Sequence, residues 1–261
     1  PSMPGIAVIP IHGTLVRRAV GLDAASGLTS YARIAADIDA ALANPDVVGI
    51  LLDVDSPGGE AGGVFELGEQ IRAASRIKPI WAHAGDAAFS AAYALACATQ
   101  RVSLSATGGV GSIGVIALHI DQSVRNAQNG LSVTALTAGA HKNDGTPHAP
   151  LTPQATTALQ SEIDRLYDLF VDHVAQMRGL DAERVRATEA ALFFGDDAVA
   201  SGLADAVAPF ATTLADFSAA LSRHSPGSNG RSPGSNTPLA LPTRLALPPP
   251  TEFSMTLPTE A

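Results

Sequence analysis

Apolar, β-rich runs alternating with stretches of helical spacing predict an α/β protein, with a largely parallel sheet and helices on both faces. Three observations carry this prediction. The run "VVGILLDV" at 47–54 is almost continuously apolar, the pattern of a strand buried on both sides. Stretches such as "TSYARIAADIDAALANPD" fall between such runs and repeat their apolar residues at helical period. A chain of 261 residues with 46% hydrophobic and 16% charged residues can bury one large core.

The elements follow in order. "GIAVIPI" reads as the first strand, and the helix after it has Thr29 or Ser30 available as a cap. "VVGILLDV" is a strand that "DSPGGEAGG" breaks, "VFELGEQIRAAS" returns to helical period, and "KPIWAHA" is a strand again. Residues 88–99 read as a helix, "RVSLS" as a strand, "IGVIALHI" (113–120) as a strand, then a short helix, then "LSVTALT" (131–137) as a strand. From Thr152 a long amphipathic helix begins, with Pro153 in its first turn and Gly179 at its end. Its residues Ile163, Leu166, Phe170 and Val174 share one core-facing side. "DAERVRAT" and "GDDAVASGLADAV" close the folded part.

The composition then shifts. SPGSN occurs at 225 and 232, LALP at 239 and 245, and eight of the 18 prolines lie between Pro226 and Pro258. Such a segment cannot bury a core, so residues 1–223 are read as the folded domain and 224–261 as a disordered Pro/Ser/Gly-rich tail.

Charge narrows the function classes. A net charge of −9, with no basic stripe among the 16 Lys and Arg, argues against a nucleic-acid partner. Cys97 has no second cysteine to pair with and reads as a small buried hydrophobe in a reducing compartment. The N-terminus lacks a signal-peptide pattern and the initiator Met, so some natural N-terminal residues are expected to be missing. The uncharged run 102–120 is broken by glycines and hydroxyls, so no membrane anchor is expected.

Two stretches carry candidate chemistry. In "DVDSPGG" a buried strand meets a Pro-Gly-Gly turn just before a helix, a geometry that can aim backbone N–H groups at an oxyanion. Neither a dinucleotide fingerprint nor a P-loop is present. In "GDAAFSAAYALACATQ" a single hydroxyl, Ser90, stands among small apolar residues. As a nucleophile it needs a base. The seven histidines are scattered and no GxSxG elbow surrounds Ser90. A lysine is the other solution where burial keeps its amine neutral, and Lys142 lies in a glycine-flanked loop after an expected strand.

The ordered pieces "VDSPGG", "AAFSAAYALA", "GGVGSIGV", "GAHKNDGTPHAPLT", "FVDHVAQMRGL" and "FFGDDAVASGLADAV" resemble the S49 peptidase family, the signal peptide peptidase A group, especially its phage prohead protease branch. The resemblance runs from about Gly5 to Val207. It implies a crotonase/ClpP-like fold and a Ser-Lys dyad, with Ser90 matching the nucleophile and Lys142, 52 residues later, the general base. Ser112 matches the serine that orients the lysine amine, and Gly58 and Gly59 match the oxyanion turn, joined by the N–H of Ala91. The chain departs from many signal peptide peptidases in having Ala91 and Ala92, not two glycines, after the nucleophile, and His141 before the lysine.

The expected function is therefore a serine endopeptidase without metal or organic cofactor, acting on polypeptide, with capsid scaffold protein as the expected substrate. The expected setting is the bacterial cytoplasm, within an assembling phage prohead, as a homo-oligomer whose neighbouring subunits complete the groove. Three alternatives stay open at this point: a peptidase of signal-peptide fragments, an acyl-CoA enzyme of the same fold using Glu60 and Glu66, and a non-catalytic scaffold-binding subunit.

Overall fold

The protein is described by a computed structural model covering residues 5–18 and 27–224. Strand β1 (Ile6–His12) leads into a short parallel pair, β2 (Thr14–Val16) with β3 (Leu28–Ser30). Helix α1 (Tyr31–Ala43) starts where the Ser30 side chain accepts the Arg33 N–H, so Ser30 rather than Thr29 is its cap. Next come β4 (Gly49–Ser56), α2 (Val64–Ala74), β5 (Ile80–Phe89), α3 (Ala91–Ala96), β6 (Arg101–Leu104) and β7 (Gly109–Gly111). The chain continues with α4 (Ser123–Gln128), α5 (Pro153–Arg178), α6 (Ala182–Arg186), β8 (Leu192–Phe194), α7 (Gly195–Ala200), β9 (Ala206–Val207) and α8 (Phe210–His224).

The main sheet runs β1-β4-β5-β6-β9, with all these strands parallel. Past the end of β6, β5 takes β7 as a second parallel neighbour, and β8 closes that corner antiparallel to β7. Alternate residues of β4 face opposite layers, as strand geometry requires. Ile50, Leu52 and Val54 belong to the large core with α1, α2, α3 and the second half of α5. Leu51 joins Ile6, Leu214 and Phe217 beneath α8, where Phe217 stacks on Trp81 at 4.8 Å. Burying Leu214 and Phe217 contributes about 1.5–3 kcal/mol each, which holds α8 on its face.

The α/β prediction agrees with this architecture, and several boundaries differ. Residues 88–99 are not one helix: β5 runs to Phe89 because Ala87–Phe89 pair with Gly109–Gly111, and α3 starts only at Ala91. Residues 113–120 and 131–137 form no strand. Their apolar alternation meets no partner edge, leaving Ile116 79%, Leu118 83% and Leu136 95% exposed. Helix α8 had no counterpart among the expected elements, whereas α5 starts and ends as expected, on Thr152 with Pro153 and on Gly179 at φ 65. The expected tail lies, beyond His224, outside the described residues.

Candidate active site

The carboxyl ends of β4 and β5 meet at one point, the usual location of ligand sites in open parallel sheets. After Ser56 the chain turns through Pro57, Gly58 and Gly59. The turn is tied to the segment after β1: Leu15 N–H donates to Gly58 O (2.8 Å) and Glu60 N–H donates to Leu15 O (2.9 Å). The Tyr31 hydroxyl donates to Glu60 O from α1, and burial, followed by the nearby Glu60 charge, raises the tyrosine pKa so that it remains a donor. No side chain fits at Gly59, where a Cβ would stand 1.9 Å from Leu15 O.

Ser90 links β5 to α3 at φ 51, ψ −124, a conformation that L-residues rarely adopt. Its N–H is held by Gly111 O of β7 at 2.8 Å. Its hydroxyl caps nothing and, among the described residues, makes no hydrogen bond. The close packing here explains Gly58: it has φ +104, and a Cβ would stand 2.7 Å from Ser90 Cβ and 3.1 Å from Ala91 N. Gly58 differs from expectation as a donor, because its N–H is already given to the buried Ser56 Oγ at 3.1 Å. The N–H groups of Gly59 and Ala91 have no acceptor among the described residues. Gly59, Ser90 and Ala91 all line the wall of one cavity of about 190 Å³. Val64, Phe65, Phe170, Val115 and Ile116 make that wall apolar, and Glu60 lies among its lining residues.

Ser112 follows Gly111 directly, at φ 54, with its N–H on Ala191 O (3.0 Å). It is therefore next to the residue that grips Ser90. Lys142 is elsewhere: it is exposed on the turn 139–145, its N–H bonded to Gly139 O, and it does not line the cavity. The structure brings together Ser90, Gly58, Gly59, Ala91 and Ser112, and does not bring Lys142 to Ser90 within one chain. No histidine takes its place among the described residues. His119 bonds Thr146 O, His141 bonds Asp144, and His173 bonds Ala94 O. Sequence reasoning missed the cavity wall, since Phe65 and Gly114–Ile116 converge on Ser90 from different segments. Phe170 was visible only as one member of an apolar helix face.

Fold and site together define a ClpP-like α/β protein in which, among the described residues, the Ser90 hydroxyl and the N–H groups of Gly59 and Ala91 on the same cavity have no hydrogen-bond partner. The structure resembles that of the membrane-bound stomatin-specific protease 1510-N, with a TM-score of 0.51 at 15% identity, covering 83% of this chain and 85% of that one. A family model described as peptidase family S49 matches residues 72–221. The chain belongs to peptidase family S49. It is 41% identical over 201 residues to the head-tail preconnector protein GP5 of Enterobacteria phage P21, covering 77% of this chain and 40% of that protein. It is 40% identical over 203 residues to the capsid assembly protease C of Escherichia phage lambda, covering 78% of this chain and 46% of that protein. A putative signal peptide peptidase SppA of Enterococcus faecium is 28% identical over 166 residues, 62% of this chain and 47% of that one. The chain thus spans less than half the length of these relatives.

Proposed function

We propose that the protein is a serine endopeptidase in which Ser90 is acylated by the substrate and Lys142, supplied by a neighbouring copy of the chain, is the general base. The observation that carries the reading is that Ser90 lines an apolar cavity together with Gly59 and Ala91, its hydroxyl and their N–H groups having no hydrogen-bond partner among the described residues. Ser90 Oγ attacks the scissile carbonyl as its proton passes to the Lys142 amine, and a tetrahedral oxyanion forms. The Gly59 and Ala91 N–H groups stabilise that charge, helped by the start of α3. Collapse of the intermediate breaks the C–N bond, and the lysine returns the proton to the departing amine. Water, deprotonated by the same lysine, then attacks the acyl-enzyme and releases Ser90.

An in-trans base is supported by two features. Lys142 is exposed and does not line the cavity that holds Ser90, and the segment that carries it exposes Leu118, Ile120, Leu131, Val133 and Leu136. Ser112, which follows the Gly111 whose O accepts the Ser90 N–H, is assigned the role of receiving the incoming amine. The apolar wall suits an apolar substrate side chain. By likeness to the phage capsid assembly protease, we take a capsid or scaffold polypeptide as substrate, processed in the bacterial cytoplasm during head assembly. The acyl-CoA reading has less support, since Glu60 already accepts the Arg17 N–H at 2.8 Å and Glu66 is absent from the cavity wall.

Labelling by a serine-directed fluorophosphonate, with the modified peptide mapped, tests this. Wild type labels on Ser90, while Ser90→Ala and Lys142→Ala each lose peptidase activity at least about 10³-fold and remain folded. Label on another residue, or near-normal turnover by Lys142→Ala, would sink the assignment.

A further inference from the structure

Helix α3 is only six residues long, so its termini depend on outside partners. Three of its last carbonyls are served locally. Tyr93 O accepts Cys97 N–H (2.8 Å), Leu95 O accepts Ala98 N–H (3.2 Å) and Ala96 O accepts Thr99 N–H (3.1 Å). The helix tightens past Cys97, so Ala98 N–H goes to Leu95 and the Ala94 carbonyl loses its amide partner from the next turn. His173 Nε2 of α5 supplies the donor at 2.8 Å, supplemented by a long contact from the Cys97 thiol at 3.4 Å. A carbonyl can only accept, so Nε2 carries the hydrogen.

This carbonyl belongs to the residue that connects back to the site. Ala94 N–H donates to Ser90 O (3.0 Å), and Ala94 lies on the cavity wall with Ser90. His173 is itself firmly seated. It is 6% exposed, its ring lies 5.5 Å from that of Phe65, and a Cβ at Gly68 would stand 2.5 Å from its Cε1. The far end of α3 has a separate fastening, because Arg72 Nη2 bonds both Cys97 O (3.3 Å) and Met177 O (2.6 Å). Removing the histidine donor therefore frees the turn nearest Ser90 while leaving α3 attached to α5.

We propose that His173 is a positioning residue for acyl transfer: its Nε2–H holds the first turn of α3 and thereby sets the direction from which Ser90 Oγ meets the scissile carbonyl. The inference rests on the reading of Ser90 as nucleophile.

The test compares full-length His173→Gln, whose amide N–H reaches a similar point, with His173→Leu, which keeps bulk and loses the donor. Acylation by the fluorophosphonate and peptide kcat and KM are measured well below the unfolding temperature of every variant. The Leu variant is expected to acylate about 10- to 100-fold more slowly, with kcat falling in parallel and KM within about 2-fold, as for a small misplacement of the attacking atom. The Gln variant is expected within about 3-fold of wild type. Should Leu fail to fold, His173→Asn, whose shorter amide falls short of Ala94 O, stands in with the same expected loss. A folded donor-less variant with wild-type kcat, or a Gln variant as slow as Leu, overturns the proposal. Ser90→Ala runs alongside: if it still labels, the nucleophile reading itself falls, and the positioning role with it.

Discussion

At Ser90 a β-carbon occupies backbone space that suits glycine, at a cost of about 1–2 kcal/mol. The surroundings impose it: Gly111 O holds the N–H, the Phe89 ladder fixes the approach, and Gly58 leaves just enough room. Exchanging the serine for glycine should therefore stabilise the fold while removing the hydroxyl proposed as nucleophile. Ser90→Gly is expected to unfold at higher urea than Ser90→Ala, by up to about 1 kcal/mol, with both inactive. A glycine variant less stable than the alanine one would show that no strain is stored there. Ser90 was legible in the sequence only through the ordered motifs around it, because a lone serine among alanines is by itself an ordinary helix residue. Its backbone angle was not, since that depends on β7, whose residues pair with β5 partners 22 positions earlier. Nor was the engagement of the Gly58 N–H by Ser56, which follows from the depth to which Ser56 is buried.

Among the elements, those read correctly are those whose own residues decide them. Helix α5 carries its cap, its first-turn proline and its terminal glycine in its own sequence, and β4 is apolar enough to be buried wherever it goes. Residues 113–120 and 131–137 show strand-like alternation too, yet alternation selects a strand only where a partner edge is available. Helix α8 is defined by what lies beneath it, and one buried group there has a measurable consequence. His83 of β5 is 1% exposed and faces α8, with Nδ1 between Ser103 Oγ (3.1 Å) and Thr213 Oγ1 (3.3 Å). Burial lowers its pKa, outweighing the opposing pull of Asp53, and burial likewise lowers that of His173. The unfolded chain then binds more protons than the folded one below about pH 6.5, so stability is full above that pH and falls as pH drops through the lowered folded values. The slope is at most about 1.4 kcal/mol per pH unit for each histidine. Urea midpoints should be level above about pH 7 and decline towards pH 5.5, with His83→Gln making the decline shallower. A variant with an undiminished decline would assign the effect elsewhere.

For the molecule as a whole, the proposed dyad requires Lys142 of one copy to meet Ser90 of another. One chain holds Ser90 on a closely packed floor and carries Lys142 on a segment whose large apolar side chains face outward. Large exposed apolar side chains near the lysine proposed as base are what the proposed in-trans dyad would have a neighbouring copy cover. A neighbour covering them would also withdraw the amine from water, the condition under which a lysine serves as a base. If the dyad is completed between copies, two inactive variants must rescue one another. Ser90→Ala supplies the lysine and Lys142→Ala supplies the serine. In a randomly mixed equimolar assembly, a site is competent when a Lys142→Ala copy provides the serine beside a Ser90→Ala copy that provides the lysine, which occurs for about one site in four. Co-refolding the two proteins should therefore restore about a quarter of wild-type peptidase activity, and that activity, like wild-type activity, should fall on dilution as light scattering reports dissociation. A dyad within one chain gives none, and a mixture that assembles by light scattering yet stays inactive would return Lys142 to the side of its own Ser90.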